Sequence, residues 1–263
     1  IIHFAGLKSV SESVKYPLLY WEVNVIGSIN LFEIMKKYNC NTFVFSSSAT
    51  LYVQKENSLL TESSELDPIN TYGKTKLTIE IILKDIFEAS KTNLRMASLR
   101  YFNPIGAHPT SLIGELPIGI PENLVPYITQ TAVGKRDQLT VFGNDYDTSD
   151  GTCVRDYIHI MDLAEVHITC LEKLMNIKDN SFFNVYNVGT GKGTSVLELI
   201  NLFENVNQLK LNYKIGKRRD GDVVIAYADT SKIKNELNWS TKYSLKNALK
   251  TAWNWELNIN KNE

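Results

Sequence analysis

Tyr72 and Lys76 stand four residues apart in a stretch, Tyr72 to about Ser90, where Tyr72, Lys76, Ile79, Leu83 and Ile86 recur at spacings of 4, 3, 4 and 3. That is the period of one helix face. On a helix the side chains at i and i+4 are neighbours, so an ammonium can hold a phenol by charge. A free phenol has a pKa of ~10, too high for a base at neutral pH, and a nearby cation stabilises the phenolate. Upstream, Asn41-Thr42-Phe43-Val44-Phe45-Ser46 is a short apolar run rich in β-formers that ends in Ser46-Ser47-Ser48. A strand stopping there delivers hydroxyls to its carboxyl end, where open α/β sheets place their ligands. Ser48 can accept or pass a proton by hydrogen bond, so Ser48, Tyr72 and Lys76 form a candidate proton-transfer unit.

The spacing alone decides nothing, because Tyr213 and Lys217 repeat it. Context separates the two pairs. Tyr213 lies in the alternating run Leu209-Lys210-Leu211-Asn212-Tyr213, where i and i+4 are ~13 Å apart in extended chain. Without the Tyr72/Lys76 pair the serines would be no more than a polar strand end. The histidines, His3, His108, His159 and His167, show no zinc spacing and have no cysteine near in sequence, so no metal site is expected. Trp253 and Trp255 read as helix packing.

The elements that position these residues alternate between strand-like and helix-like through the first hundred positions, the pattern of a mostly parallel, doubly wound sheet. Ile1-Ile2-His3-Phe4 reads as the end of a buried strand running into Ala5-Gly6 with no initiator Met before it, so the chain is expected to be a piece of a longer one, cut inside a sheet. A helix is expected over Asn24–Tyr38, with Leu31, Ile34, Met35 and Tyr38 on one face. Gln54 to Asn70 reads as a loop, Leu94 to Phe102 as a strand. Five of the seven prolines then fall in 104–152, where regular alternation stops. Arg155–Ile160 reads as a return strand with a helix from Asp162, Phe182–Val188 as a strand and Ser195–Phe203 as a helix. Lys217–Asp222 is a charged loop, and two short helices with Ser231 and Ser244 as N-caps close the chain.

Composition narrows the partners. Lys plus Arg (28) and Asp plus Glu (29) cancel to a formal charge of −1, which argues against a protein that coats nucleic acid or an anionic membrane. No apolar run reaches the ~18 residues of a membrane span. Cys40, Cys153 and Cys170 are odd in number and far apart, the usage of reduced thiols in a cytoplasmic protein.

Five stretches, taken in order, carry a resemblance. His3-Phe4-Ala5-Gly6-Leu7-Lys8-Ser9-Val10, Ser46-Ser47-Ser48-Ala49-Thr50-Leu51-Tyr52, Tyr72-Gly73-Lys74-Thr75-Lys76, Arg100-Tyr101-Phe102-Asn103-Pro104-Ile105-Gly106-Ala107 and Arg155-Asp156-Tyr157-Ile158-His159 resemble the UDP-glucose 4-epimerases, extended short-chain dehydrogenase/reductases. Arg218-Arg219-Asp220-Gly221-Asp222 extends the likeness towards the end of the chain. The resemblance implies a Rossmann-like α/β domain over 1–103, rejoined by about 153–175, with a smaller α/β domain for the UDP-sugar from 104–152 and 176–263. It implies a tightly held NAD that takes a hydride from C4 of UDP-galactose or UDP-glucose and returns it to the other face. Tyr72 would remove the 4-hydroxyl proton, Lys76 would bond the nicotinamide ribose and lower the Tyr72 pKa, and Ser48 would assist. Phe4, Ala5, Gly6, Leu7, Lys8, Asn24 and Phe102 would join them at the cofactor. Ser48, Ala49, Thr50, Tyr72, Asn103, Asn123, Leu124, Thr140, Phe142, Arg155, Arg219, Asp222 and Ala226 would hold the sugar nucleotide. A homodimer through helices 24–38 and 72–90 is implied as well.

The chain also departs from the pattern. Val53 follows Tyr52 where the family usually has Gly, and Val23 stands beside Asn24 where some members put a cofactor-contacting Asn. Nothing matches the glycine-rich turn that packs a dinucleotide pyrophosphate onto a helix N-terminus. About two βα units of ~30 residues each are therefore expected to stand upstream. Gly189-Thr190-Gly191-Lys192-Gly193 has the wrong spacing for that turn and comes late, so it reads as a tight strand-to-helix turn. Two other readings stay open. One is a nucleotide-sugar dehydratase or decarboxylase, whose extra acid-base carboxylate would follow the hydroxyl cluster, where this chain has Ala49-Thr50-Leu51. The other is a non-catalytic chain that has lost its cofactor half.

Overall fold

The computed structural model describes the chain apart from residues 54–57, 91–92, 179–180, 220–221 and 262–263. The first half runs through Ile2–His3 (β1), Val10–Lys15 (α1), Pro17–Tyr20 (α2), a π-helical turn Trp21–Ile26, Gly27–Lys37 (α3), Thr42–Ser48 (β2) and a 3₁₀ turn Ala49–Leu51. It continues with Ser58–Leu60 (β3), Thr71–Ala89 (α4), Arg95–Tyr101 (β4) and Asn103–Ile105 (β5). The second half holds Leu124–Ala132 (α5), Leu139–Phe142 (β6), Val154–His159 (β7), Ile160–Asn176 (α6), Phe182–Val188 (β8), Gly193–Ser195 (β9) and Val196–Asn207 (α7). Tyr213–Gly216 (β10), Ile225–Ala228 (β11), Ser231–Leu237 (α8) and Leu245–Lys261 (α9) follow.

A parallel sheet in the order β1-β2-β4-β8 forms the first layer. Phe43, Val44, Phe45, Met96, Ala97 and Leu99 are buried on its central strands, the near-continuous apolar run that a parallel strand covered on both faces requires. On one face Leu163, Val166, Cys170 and Leu174 of α6 and Ile233 and Leu237 of α8 pack against Val44, Leu99 and Tyr186. On the other, Phe32 and Met35 of α3 and Ile79 and Leu83 of α4 pack against Phe43, Phe45 and Met96. A second sheet runs β3-β11-β7-β5 in parallel, with β9 antiparallel on β7, and β6 and β10 form a separate parallel pair. Residues of α5, α7 and α9 build the core behind them.

Several expectations shift. Residues 10–23 apart from Tyr16 are helical, where the sequence pattern predicts no element. The helices α1 and α2 have six and four residues, too short for periodicity to register, and are started by the Ser9 side chain accepting from Glu12 N and by Pro17 at the first helical position. The helix expected from Asn24 begins as a π turn, and its buried face is Ser28, Phe32 and Met35, leaving Ile34 54% and Tyr38 70% exposed. The helix carries two apolar stripes, and the sheet took the one with Phe32. The 54–70 stretch is not all loop, since β3 pairs with β11, a contact between residues too far apart in sequence to leave a local signal. Residues 54–57 of that stretch lie outside the described residues. The closing helices are not both short, because α9 has 17 residues, and Ser231 is the first helical residue of α8 rather than its cap; Asp229 Oδ1 accepts from its N–H at 2.8 Å. Ser244 does cap, accepting from Asn247 N at 3.2 Å. In these sheets β8 is a strand of the first and β7 a strand of the second.

Candidate active site

The carboxyl end of β2 carries Ser48, and the first turns of α4 lie over it. Asn70 starts α4 by accepting from Gly73 N at 2.8 Å, and Gly73 is needed for the approach, because a Cβ there would meet Pro68 Cβ at 2.7 Å and the Thr50 carbonyl at 2.9 Å. Ser13 Oγ accepts from Tyr72 N at 3.1 Å. Tyr72, Lys76 and Ser48 end up 7%, 5% and 6% exposed. Lys76 Nζ donates to the Ser46 carbonyl at 2.8 Å and stands 4.8 Å from the centroid of the Phe45 ring and 5.8 Å from that of Tyr72. Burial lowers its pKa from 10.5 to about 8, opposed by the Glu80 carboxylate.

Burial also holds the Tyr72 phenol above its ordinary range, and a hydrogen bond from Ser48 works in the other direction. Ser48 Oγ itself accepts from Thr50 N at 3.2 Å and from Thr50 Oγ1 at 3.0 Å. Both lone pairs of the serine hydroxyl are therefore engaged, which leaves its proton to be donated. Tyr101, at the end of β4 opposite Ser48, is pushed up by burial and by a charge on Tyr72. Its phenol is a neighbour that the sequence reading did not select.

The Phe4–Lys8 segment leaves the end of β1 with Phe4 56% exposed and its ring 4.5 Å from that of His167. Asn24, carried inward by the π turn, clamps this segment: its Oδ1 accepts from Leu7 N at 2.7 Å, and its Nδ2 donates to the Leu7 carbonyl at 3.1 Å and to Thr75 Oγ1 at 3.1 Å. Gly6 lies flat on that amide, since a Cβ would meet Asn24 Oδ1 at 3.0 Å. Ala5, Gly6 and Lys8 remain exposed. Phe102 is buried with Tyr52, Leu60 and Ala228, and Ala49 and Ala226 pack against that group. Asn103 is exposed on β5, in register with Tyr157.

Basic side chains gather at the other sheet. Arg155 Nη2 lies 3.7 Å from Asp222 Oδ1, Asp222 N donates to the Arg219 carbonyl at 3.2 Å, and Ala226 is in register with Arg155. Burial raises the Asp222 carboxyl, with Arg155 and Arg219 opposing. Phe142 ends β6, 46% exposed, with Thr140 half-buried two residues before it. The neighbouring Arg218 is committed elsewhere: its Nε donates to Asp145 Oδ1 at 2.8 Å and its guanidinium covers the Tyr146 ring at 4.3 Å. Asn123 and Leu124 open α5, and Asn123 Nδ2 donates to Glu115 Oε1 at 2.8 Å, the same oxygen that accepts from Lys8 Nζ at 3.0 Å. Glu115 thus joins a cofactor candidate to a substrate candidate. It sits in the irregular 104–123 segment, where no periodic signal exists.

The Gly189–Gly193 turn has its own resident anion. Asp156 is fully buried and accepts from Thr190 N at 2.8 Å, Thr190 Oγ1 at 2.6 Å, Gly191 N at 3.0 Å and Ala228 N at 3.2 Å. A Cβ at Gly189 would meet Asp156 Oδ2 at 2.4 Å. The backbone donors that would cradle a phosphate in a dinucleotide turn are here filled by a side chain of β7.

Comparison with known proteins gives the family. A family model described as GDP-mannose 4,6 dehydratase matches residues 1–252. A UDP-glucose 4-epimerase of Cyamopsis tetragonoloba is 52% identical over 255 residues, 97% of this chain and 72% of the relative, and UDP-glucose 4-epimerase 2 of Arabidopsis thaliana is 50% identical over 98% of this chain and 73% of its own. Among solved structures, a UDP-glucose 4-epimerase from Stenotrophomonas maltophila with bound NAD and formylated UDP-arabinopyranose superposes with a TM-score of 0.96 at 42% identity. It covers all of this chain and 77% of its own. One from Bifidobacterium longum in complex with NAD+ and UDP gives 0.91 at 42% identity with the same coverage, and the UDP-Glc/GlcNAc 4-epimerase of Campylobacter jejuni gives 0.83 at 37% identity, covering 98% of this chain and 77% of its own. Half its residues are identical to those relatives over nearly its whole length, and its Ser, Tyr and Lys converge at one strand end: the chain belongs to the UDP-glucose 4-epimerases, within the extended short-chain dehydrogenase/reductases.

Proposed function

We propose that the protein interconverts UDP-glucose and UDP-galactose at C4 with NAD as a resident cofactor. The carrying observation is the buried convergence of Ser48, Tyr72 and Lys76. The residues present fit the cofactor. A buried ammonium has three donors, and Lys76 gives one to the Ser46 carbonyl, so it has donors in reserve for ribose hydroxyls. The exposed Phe4–Lys8 segment, flattened onto Asn24 at Gly6, and Phe102 flank the same strand ends. Bound NAD supplies the acceptor for the C4 hydride and returns it to the opposite face of the sugar.

The chain's own residues do the rest. Tyr72, as phenolate, takes the proton of the sugar 4-hydroxyl and becomes the neutral phenol; Ser48, its lone pairs filled by Thr50, donates to the Tyr72 oxygen and stabilises the charge it carries before the transfer. Lys76 holds the ribose and keeps a positive charge near the phenol. Arg155 and Arg219 grip the diphosphate, since a planar guanidinium matches phosphate oxygens. Phe142 packs against uracil beside Thr140 and Leu124, and Asn103, Asn123, Asp222, Ala49 and Thr50 bond the remaining sugar-nucleotide groups. Asn24 acts through the loop it clamps. A dehydratase reading finds no support in the 3₁₀ turn after Ser48, where Ala49, Thr50 and Leu51 offer no carboxylate for a second proton abstraction.

Ala226, small and packed near Phe102, leaves room for a C2 acetamido group, so the N-acetylhexosamine pair is a second substrate pair. Val23, Ile26, Ile29 and Ile34 form an exposed apolar stripe on the π turn and α3, and Ile81 is exposed on α4. That stripe supports a homodimer through these helices. No helix among the described residues is long and apolar enough to cross a membrane; the three cysteines are free thiols, which supports a cytoplasmic setting. The test is a coupled assay of UDP-galactose conversion with wild type, Tyr72→Phe and Tyr213→Phe. Loss of a positioned general base is worth about 10²–10⁴-fold, expected for Tyr72→Phe alone; equal rates for Tyr72→Phe and wild type would overturn the reading.

A further inference from the structure

An ion pair lies buried beneath the three residues used above. Glu80 follows Lys76 by one helical turn on α4 and is 5% exposed; Arg100 on β4 is 4% exposed. Arg100 Nε donates to Glu80 Oε1 at 3.1 Å and Oε2 at 3.2 Å, and its Nη2 to Oε2 at 2.5 Å. Ser47 Oγ, one residue before Ser48, donates to Oε1 at 2.5 Å. The other arm of Arg100 donates to the Tyr52 hydroxyl at 3.1 Å and the Glu62 carbonyl at 3.2 Å, and Tyr52 donates in turn to Asn187 Oδ1 at 2.5 Å. One polar network therefore ties α4 to β2, β4 and β8 directly below the proposed acid-base unit.

Stability gives little reason for an ion pair in this core, because well-packed apolar residues of similar volume are often as stable or more so. An ion pair supplies what they cannot, which is fixed orientation and a field. The carboxylate end opposes the burial that would strip the proton from Lys76. The other titratable groups about the unit are Tyr72 on the same helix, Tyr101 at the end of β4, His3 at the end of β1 and, through Ser46, His167 on α6. His3 is kept neutral by burial and by the Lys76 charge itself; His167, neutral by burial, bonds Ser46 Oγ at 2.7 Å. Among these, Glu80 is the anion.

We propose that Glu80, held by Arg100, is a positioning residue of the reaction: the pair locks α4 to the Ser47–Ser48 strand end so that Ser48, Tyr72 and Lys76 keep their mutual placement. The kinetic part of the test rests on the epimerase reading. Glu80→Gln, Arg100→Met and the double variant are compared in the NAD-loaded protein for Tm, bound NAD and the pH dependence of kcat and KM. Either single change is expected to lower Tm, because it leaves a buried charge unpaired, and the double variant to recover most of that loss. The double variant is nevertheless expected to keep a kcat reduced about tenfold or more, with KM within about threefold, and an alkaline limb displaced to lower pH by roughly half a unit or more. A double variant whose kcat and pH profile overlay those of wild type would overturn the proposal and leave the pair a structural tie. An inactive wild type would sink the epimerase reading, while an active wild type matched in kcat by the double variant would sink this one.

Discussion

Replacing Lys76 with Met should make the NAD-free protein more stable while abolishing its turnover. Burial lowers the Lys76 pKa from 10.5 to about 8, and each tenfold in a proton equilibrium is worth ~1.4 kcal/mol, so keeping the ammonium charged in the folded state at pH 7 costs about 3 kcal/mol. Met has a similar reach and no charge. It forfeits the contact of Nζ with the Phe45 ring and the bond to the Ser46 carbonyl, together about 1–3 kcal/mol, so the net gain at neutral pH is about 0–2 kcal/mol. The pH dependence is the cleaner signature. Below pH ~8 both folded and unfolded chains hold the proton and the whole penalty is present. Between about 8 and 10.5 the folded chain releases it while the unfolded chain keeps it, so wild-type stability rises with pH relative to Lys76→Met and the difference closes. Urea unfolding of both proteins from pH 7 to 10 measures this. A difference that stays flat across that range would refute the reasoning, because it would mean that Lys76 is not a desolvated cation in the folded state.

The remaining predictions concern specificity and assembly. Ala226→Tyr should abolish conversion of UDP-N-acetylglucosamine to its galacto epimer while sparing the UDP-glucose pair, since a phenol beside Phe102 would fill the space for the acetamido group; unchanged ratios of the two activities would show that the position does not gate the sugar. Ile26→Glu with Ile34→Glu should convert a dimer to monomer in sedimentation, because two charges would enter the exposed apolar stripe of the π turn and α3; a wild type that sediments as a monomer would rule out that interface.

Much of the site was legible because its key residues are close in sequence and sit on strongly patterned elements. Tyr72 and Lys76 share one face of a 19-residue helix, and Ser48 ends a strand whose apolar run announces it. The alternation of such segments is enough to imply a mostly parallel sheet covered by helices, since that layering buries successive strand and helix faces of this kind. What pairs with what was not legible. The partner of β3 is β11, the apolar stripe of α3 that faces the sheet is the one with Phe32, and Gly189–Gly193 closes on Asp156 rather than on a phosphate. Glu80 and Arg100 are twenty residues apart on a helix and a strand, and Lys8 lies more than a hundred residues from the Glu115 that it shares with Asn123. Periodicity reports only which face of an element is apolar. The meeting of polar groups across elements depends on register and layer packing, which long-range contacts set and a local pattern does not carry.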